Sequence, residues 1–506
     1  MDFSLIGAGF VNALMPLNLL AMLLSTTIGI MIGALPGLSA AMGVALIIPI
    51  TFGMPPSTGL IVLAGIYCGA IFGGSISAIL IHTPGTPASA ATAIDGYQLT
   101  LQGKAGKALG TAVISSFFGG LLSCISLYFF SPPLAKLAMA FGSPEYFWLS
   151  IFGLTIIAGV SSDSMIKGLI SGAFGLLLST IGMDTMNGVF RFTFGQAALY
   201  EGLPFTATLI GLFSMSQVLV LADHKIRKAG ELVEFDDRVL LNRKEMKLIA
   251  PTILRSWIIG NVIGILPGAG ASIASFLGYN EARRASKHKE AFGHGSIEGV
   301  AGSEAANNAV TGGSLIPTLT LGIPGESVTA VLMGGLLIHN MQPGPDLFNK
   351  YAAVTYTFFA GFAFVQFFML ALGLWGSRWF AKISRVSDAI LIPIIFALSV
   401  VGSYAIRNSM ADVVIMFVFG VIGYFVKLFG LNSAAIVLAL ILGPIGERGL
   451  RRSLLLSKGN PAILFSTPVC WVLIALCVFS IFSPMLMQKL ENKYKERDPN
   501  ADMPKD

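Results

Sequence analysis

Residues 29–37 read Gly-Ile-Met-Ile-Gly-Ala-Leu-Pro-Gly, and residues 260–268 read Gly-Asn-Val-Ile-Gly-Ile-Leu-Pro-Gly. Both place glycines at the first, fifth and ninth positions and end in Leu-Pro-Gly, 231 positions apart (267 − 36). Proline removes a backbone donor and clashes with the carbonyl four residues earlier, so a helix bends or ends there. A helix that ends inside lipid leaves backbone groups that only protein or a water-filled cavity can cover. If the flanking runs are membrane segments, these nonapeptides predict two matching helix breaks in the protein interior.

Composition supplies the membrane. The chain has 506 residues, 54% of them hydrophobic and 11% charged, against about 25% charged in a typical soluble protein. The missing charge fits a surface that faces lipid. The run Leu5–Met31 has no basic segment before it and is too long for a signal-peptide core, so it reads as a retained membrane segment. The expected fold is an all-α integral membrane protein with about 10–12 transmembrane helices, two structural repeats and broken or re-entrant Pro-Gly segments. Ser433–Leu442 is the shortest candidate; it either continues through Pro444 or does not cross. The expected organisation is a first repeat over 1–223, a basic linker over 224–248, a second repeat over 249–483 and a polar tail over 484–506.

Basic residues cluster between the apolar runs: Lys225–Lys247, Arg283–Lys289 and Arg448–Lys458. The positive-inside rule assigns all three to the cytoplasm. The clusters are short and flanked by spans, so nucleic acid is not an expected partner. Cys68, Cys124, Cys470 and Cys477 lie in apolar runs and read as small buried hydrophobes.

Further matches extend the repeat. Gly73-Gly74-Ser75 matches Gly312-Gly313-Ser314 at an offset of 239 (312 − 73), and Pro84-Gly85-Thr86 matches Pro324-Gly325-Glu326 at 240 (324 − 84). Asp163-Ser164-Met165 matches Asn408-Ser409-Met410 at 245 (408 − 163). The rise from 231 follows from an added hydrophilic stretch, Asn280–Ser296. Duplicated broken helices in corresponding positions point to a transporter whose site lies between the repeats. Of the two possible arrangements, inverted is the one expected.

The broken segments carry hydroxyls and bare backbone without nearby cations. Thr86-Pro87 reads as a helix start whose free N–H groups face an anion. The substrate-binding candidates in the first copy are Ser39, Gly74, Ser75, Thr83, Gly85 and Thr86. Those in the second are Ser272, Gly313, Ser314, Gly325, Glu326 and Ser327. Oxygen-rich, weakly charged surroundings suit a coupling ion, Na⁺ or H⁺, at Gly37, Gly268, Glu304, Asn307, Asn308, Thr318 and Thr320. The competing readings are close helix packing for Gly65, Gly69 and Gly73, and interhelical hydrogen bonding for the Asn pair. Asp95, Asp163, Glu298, Glu304 and Glu326 are the acids that could carry a proton or help hold Na⁺; for Asp95, Asp163 and Glu298 the competing reading is a hydrated interfacial acid. A P-loop, HExxH and GxSxG are all absent from the sequence, so no catalytic residue, cofactor or metal beyond Na⁺ is expected.

At Gly33–Gly37, Gly73–Tyr97, Gly264–Gly268, Ser296–Val310 and Gly312–Gly325 the sequence resembles the large membrane subunit of the tripartite tricarboxylate transporters. TPGTPASAATAIDGY and EAANNA are its most specific stretches. The resemblance implies a multi-pass protein of the bacterial inner membrane, working with a small membrane subunit and a periplasmic solute-binding protein. It also implies import of a di- or tricarboxylate, citrate-like, driven by an ion gradient. An anion channel or uncoupled carboxylate permease is the second reading. Glu326 departs from the resemblance, which leads one to expect a small or hydroxylated residue there. Its carboxylate is expected to alter ion coupling or substrate choice.

Overall fold

The computed structural model describes residues 3–160, 165–184, 186–223, 237–266, 270–383 and 386–480. The basic residues at 224–236, the Pro267-Gly268 turn, Asp163 and the tail 484–506 lie outside them. The first half runs α1 (Phe3–Ala13), α2 (Pro16–Ala34), α3 (Ala40–Thr51), α4 (Pro56–Ile81), α5 (Ala90–Leu101), α6 (Ala105–Met139), α7 (Ser143–Val160) and α8 (Met165–Ser179). It ends with α9 (Phe205–Leu209) and α10 (Ser216–Asp223), joined through a wide turn into one span. The second runs α11 (Arg243–Ile265), α12 (Gly270–Ala285), α13 (Ile297–Leu321), α14 (Ser327–Ile338), α15 (Ala352–Ile383), α16 (Asp388–Ala405), α17 (Met410–Leu428) and α18 (Ser433–Leu456), then α19 (Pro468–Ser480). Among the described residues nine helices are long and apolar enough to cross a membrane, and the chain is a multi-pass membrane protein. The short Ser433 segment is part of α18, which continues through Pro444.

The two halves repeat one element order, from α2 to α10 and from α11 to α18. α5 and α14 are each 12 residues long, and α7 and α16 are each 18. α8 and α17 start 245 positions apart (410 − 165), as their sequence match predicts. Packing sets the register more finely. A Cβ on Gly73 would overlap the Ile30 carbonyl oxygen, and one on Gly313 would lie 2.7 Å from the Asn261 oxygen. Ile30 and Asn261 differ by 231, so Gly73 and Gly313 are equivalent at an offset of 240. The sequence pairing of Gly73-Gly74-Ser75 with Gly312-Gly313-Ser314 is therefore one place out. The two strings share letters, but close backbone contact assigns the true partner. In this register Thr86 corresponds to Glu326 and Tyr67 to Asn307.

The copies are inverted. The start of α4 lies beside the residue that follows α14, since a Cβ on Gly59 would sit 2.5 Å from His339 Nε2. The end of α5 lies beside the loop that precedes α13, where Gln102 Nε2 donates to the His294 carbonyl at 2.7 Å. The broken helix α4–α5 thus runs opposite to α13–α14. Lys107, just past α5, pairs with Glu245 at 2.8 Å, which marks this end as the linker face.

α2 and α3 form a re-entrant hairpin. Thr58 Oγ1 donates to Asn18 Oδ1 at 2.7 Å, and Thr51 packs at Gly59, so α2 starts, α3 ends and α4 starts at one face. The 12 residues of α3 rise about 18 Å at about 1.5 Å each. In the second copy Arg255 of α11 and Glu281 of α12 approach to 4.0 Å on either side of their turn. α4 and α13 are buried over nearly their whole length.

Two compact units cut across the sequence halves. One comprises Met1–Ala140 with Gly195–Leu428, the other Phe141–Phe194 with Phe429–Asp506. In the second, Arg191 forks onto Glu447 at 2.8 and 3.2 Å, and Arg451 reaches Asp184 at 2.7 Å. The Arg451 guanidinium holds the Asp184 carboxylate below its ordinary range. Arg451 and its neighbour Arg191 are thus both matched by carboxylates.

Candidate functional site

The first break folds back over the end of its own helix. α4 ends at His82 in the left-handed region, φ 52°, and the His82 ring stacks on Tyr97 at 4.5 Å. Gly85 N–H donates to the Gly74 carbonyl at 3.2 Å, and Thr83 N–H to that of Ser77 at 3.4 Å. A Cβ on Gly85 would overlap the Gly33 carbonyl oxygen and lie 2.9 Å from Gly74 Cα. A Cβ on Gly74 would lie 2.6 Å from both Thr86 Oγ1 and Ser89 Oγ. Those two hydroxyls pair at 2.9 Å. Pro87 opens a single tight turn, Pro87–Ser89, that leads into α5, as the Thr-Pro pair predicts. Three other candidates engage local backbone. Ser75 donates to the Phe72 carbonyl, Thr83 to that of Ile81, and Ser39 caps α3 by accepting from Met42 N–H at 3.2 Å. Gly37, φ 92°, lies beside Gln217 and Leu221.

The second break is built alike with a carboxylate added. α13 ends at Gly322, φ 71°, 240 positions after His82 (322 − 82). A Cβ on Gly325 would lie 2.5 Å from the Gly264 oxygen and 2.7 Å from Ser314 Cα. Gly325 N–H donates to Thr318 Oγ1 at 3.4 Å. Glu326 Oε1 accepts from the Tyr67 hydroxyl, and Oε2 accepts from Ala271 N–H, in the first turn of α12, at 3.3 Å. Tyr67 also lies 3.1 Å from Ser314 Oγ. Ser272 and Ser327, next to Ala271 and Glu326, are partly exposed. Gly313 is a packing contact against Asn261. Ala88 clusters with Ala271, Ala274, Ala306 and Val310, so the first break adjoins the second hairpin.

A third group surrounds Glu304, which is fully buried. Its Oε1 accepts from Thr92 at 2.5 Å and its Oε2 from Ser116 at 2.9 Å. Asn308 Nδ2 donates to Ser116 Oγ at 2.8 Å and to Glu304 Oε2 at 3.4 Å. The Asn307 amide lies against the Glu304 carboxylate, while Asn307 Oδ1 and Asn308 Oδ1 are buried without a hydrogen-bond partner. Buried polar groups are ordinarily satisfied, so a carboxylate beside orphaned amide oxygens has the donor set of a small-cation or proton site. Of the other ion candidates, Thr318 belongs to the second break. Thr320 donates to the Ile316 carbonyl within its own helix, and Gly268 lies outside the described residues.

Two expectations fail. Asp95 and Glu298 are buried, not hydrated. Glu298 accepts from Ser286 at 2.7 Å. Asp95 Oδ1 accepts from the N–H groups of Gly293, Gly295 and Ser296 at 2.8–3.0 Å, fixing the turn that enters α13. Asp95→Ala leaves three backbone donors without that acceptor. At roughly 1–3 kcal/mol per unmade bond, it is expected to lower the melting temperature sharply in detergent, with Asp95→Asn less damaging.

Sequence reading picked out Ser89 and Thr92 among the hydroxyls of the first break but missed Tyr67 and Ser116. Tyr67 carried a signal, as the lone tyrosine in the apolar middle of a 26-residue helix. Ser116 carried none, since its role depends on α6 crossing α13. All four cysteines are free and buried. Among the described residues no three His, Cys, Asp or Glu side chains group to hold a metal.

A family model described as "Tripartite tricarboxylate transporter TctA family" matches residues 19–438. An uncharacterised 52.8 kDa protein of Agrobacterium vitis, from the TAR-I ttuC' 3' region, is 37% identical over 494 residues, 97% of this chain and 98% of that protein. An uncharacterised protein of the same organism, from the TAR-II ttuC' 3' region, is 34% identical over 242 residues, 47% of this chain and 100% of that protein. No solved structure matches the chain significantly.

Proposed function

The chain belongs to the tripartite tricarboxylate transporter TctA family, a family of transporters, and from that premise we propose that it is the large membrane subunit of a binding-protein-dependent importer. Its cargo is a di- or tricarboxylate, moved by symport with Na⁺ or H⁺ across the bacterial inner membrane. Its partners are a small membrane subunit and a periplasmic solute-binding protein.

The observation that carries this reading is the meeting of helix breaks from two inverted copies, made almost wholly of neutral dipoles. No Lys or Arg precedes Lys104, and none lies between Lys289 and Lys350. A carboxylate held at Thr83–Thr86 and the second break therefore meets backbone N–H groups and hydroxyls in place of a fixed cation. Its charge is then best offset by an ion that binds with it. In a medium of low dielectric that attraction is large and makes the two bindings cooperative. Glu304 with Asn307 and Asn308 is the neighbouring group suited to that ion. Inverted repeats supply the two-way symmetry that alternating access uses.

Two substitutions test the assignment. Thr86→Ala removes a hydroxyl from the proposed anion loop, and Asn307→Ala removes a buried amide that faces the Glu304 carboxylate. Each is expected to cut uptake by the reconstituted complex on the order of tenfold, one hydrogen bond to a charged group. Unchanged uptake in both would overturn the site. Uptake that persists with Na⁺ and proton gradients both collapsed would overturn the coupling.

A further inference from the structure

The breaks lie in stretches without Lys or Arg, but a cleft beside the helices that lead from them holds a guanidinium. Glu201, Phe205, Thr206, Ser403, Arg407 and Asp412 line a cavity of about 200 Å³. Phe205 opens the span that closes at Asp223, where the linker begins, so the cleft lies at the end of that span away from the linker. Its walls back onto α3 and α14. A Cβ on Gly402, beside Ser403, would lie 2.8 Å from Pro49 Cγ of α3, and one on Gly334 of α14 would lie 3.2 Å from Phe205 Cε1. α3 starts just after Ser39 and α14 just after Glu326. The cleft therefore adjoins the later turns of the two helices whose first turns carry substrate candidates.

Arg407 Nε donates to Asp412 Oδ2 at 2.8 Å, and Nη2 donates to Oδ1 at 2.6 Å. The Asp412 side chain is 3% exposed, so the guanidinium is held from behind on one edge. Its third nitrogen, Nη1, makes no hydrogen bond among the described residues. Glu201 Oε2 stands 3.6 Å from it, on a side chain that is 87% exposed. A guanidinium locked on one edge and open on the other offers N–H donors in a preset plane, which suits a carboxylate. The duplication does not require this pair. At the offset of 245 that matches Asn408-Ser409-Met410 to the first copy, Arg407 and Asp412 correspond to Ser162 and Lys167.

We propose that this cleft is a second carboxylate site, on the side away from the linker, where Arg407 Nη1 binds the transported anion before it reaches the breaks. The proposal rests on the carboxylate reading of the breaks and adds a stage ahead of them. Two carboxylates already face the one guanidinium, so a further anion binds by exchange: Glu201 swings into solvent and the substrate carboxylate takes its place at Nη1. Asp412 stays, because it is buried and holds the fork. Glu201 thus acts as a competitor that is released when cargo arrives.

The test places a reporter at the rim of the cleft in the full-length protein in nanodiscs. Glu201→Cys puts a thiol at an exposed position, while all four native cysteines are buried. Its reaction with a sulfonate-bearing methanethiosulfonate is timed with succinate, citrate or uncharged succinamide present. Succinate or citrate at roughly ten times its dissociation constant is expected to slow labelling on the order of tenfold by mass action, and succinamide to leave it unchanged. Arg407→Gln with Asp412→Asn neutralises both members of the fork together and is expected to abolish the protection. Arg407→Lys keeps the ion pair but loses the planar edge, and is expected to weaken protection by about threefold or more; it covers a double variant that folds poorly. Thr86→Ala, at the first break, is expected to leave the protection intact. Loss of protection in Thr86→Ala would place the anion at the breaks alone, overturning the second site and leaving the carboxylate reading standing. Protection by neither anion, or protection that persists undiminished in the folded Arg407 variants, would also overturn the second site. The uptake tests of Thr86→Ala and Asn307→Ala decide the first site independently.

Discussion

Gly85→Ala is expected to yield a chain that inserts but does not reach a stable, transport-competent fold. The added methyl would overlap the Gly33 carbonyl oxygen and lie 2.8 Å from Ser77 Oγ and 2.9 Å from Gly74 Cα. Two of those three atoms are backbone, and they belong to both elements that meet here: the end of α2 and the end of α4. Neither can retreat. Gly33 is itself pressed on Ala70, and Gly85 N–H is tied to the Gly74 carbonyl at 3.2 Å. Overpacking a fixed interior costs about 1–3 kcal/mol and more where backbone must move, so a fall of many degrees in melting temperature and loss of uptake should come together. Gly7→Ala is the control, because a Cβ there meets nothing within 4 Å. Equal stability of the two variants would show that the break is not packed as described.

Glu304→Ala is expected to be the most damaging change that leaves the backbone breaks intact. It strips the acceptor from Thr92, Ser116 and Asn308 in a site with no exposed surface. Each orphaned donor costs about 1–3 kcal/mol, more where a charged partner is lost. Glu304→Gln separates structure from coupling. The hydroxyls of Thr92 and Ser116 can rotate to meet an amide, so most of the fold's stability is retained. The charge is gone, so a co-transported cation loses its counter-charge. The expected result is a folded protein whose uptake no longer responds to the Na⁺ or proton gradient. Gradient-dependent uptake at wild-type rate in Glu304→Gln would show that Glu304 is a structural acid only.

Much of the candidate site could be read from sequence because backbone exceptions are written in residue types. A proline or a glycine inside an apolar run announces a break wherever it lies. Thr83, Gly85, Thr86, Gly325 and Glu326 were found in that way. Glu304, Asn307 and Asn308 were found because polar groups inside a membrane are expensive and seldom idle. What failed was reading neighbours. Asp95 and Glu298 look like interfacial acids along the chain, yet α13 and the loop before it cover both. Thr320 resembles Thr318, but only Thr318 reaches the second break. Arg451 has only Glu447 as an acidic neighbour along the chain, yet Asp184 comes from a distant segment to meet it.

Composition and pattern by themselves determined a helical membrane protein, its duplication and the positions of its backbone breaks. Each of those follows from local chemistry: hydrophobic length, missing donors at proline, and bare backbone at glycine. Only the tertiary structure decided that the copies run in opposite directions, that their register is 240 between α4 and α13, and that the ends of α2 and α11 meet the Pro-Gly turns after α4 and α13. It also decided that Tyr67 from one copy closes on Glu326 from the other. Those facts depend on which surfaces touch across hundreds of residues, and touching is set by shape and close packing, which residue letters do not record.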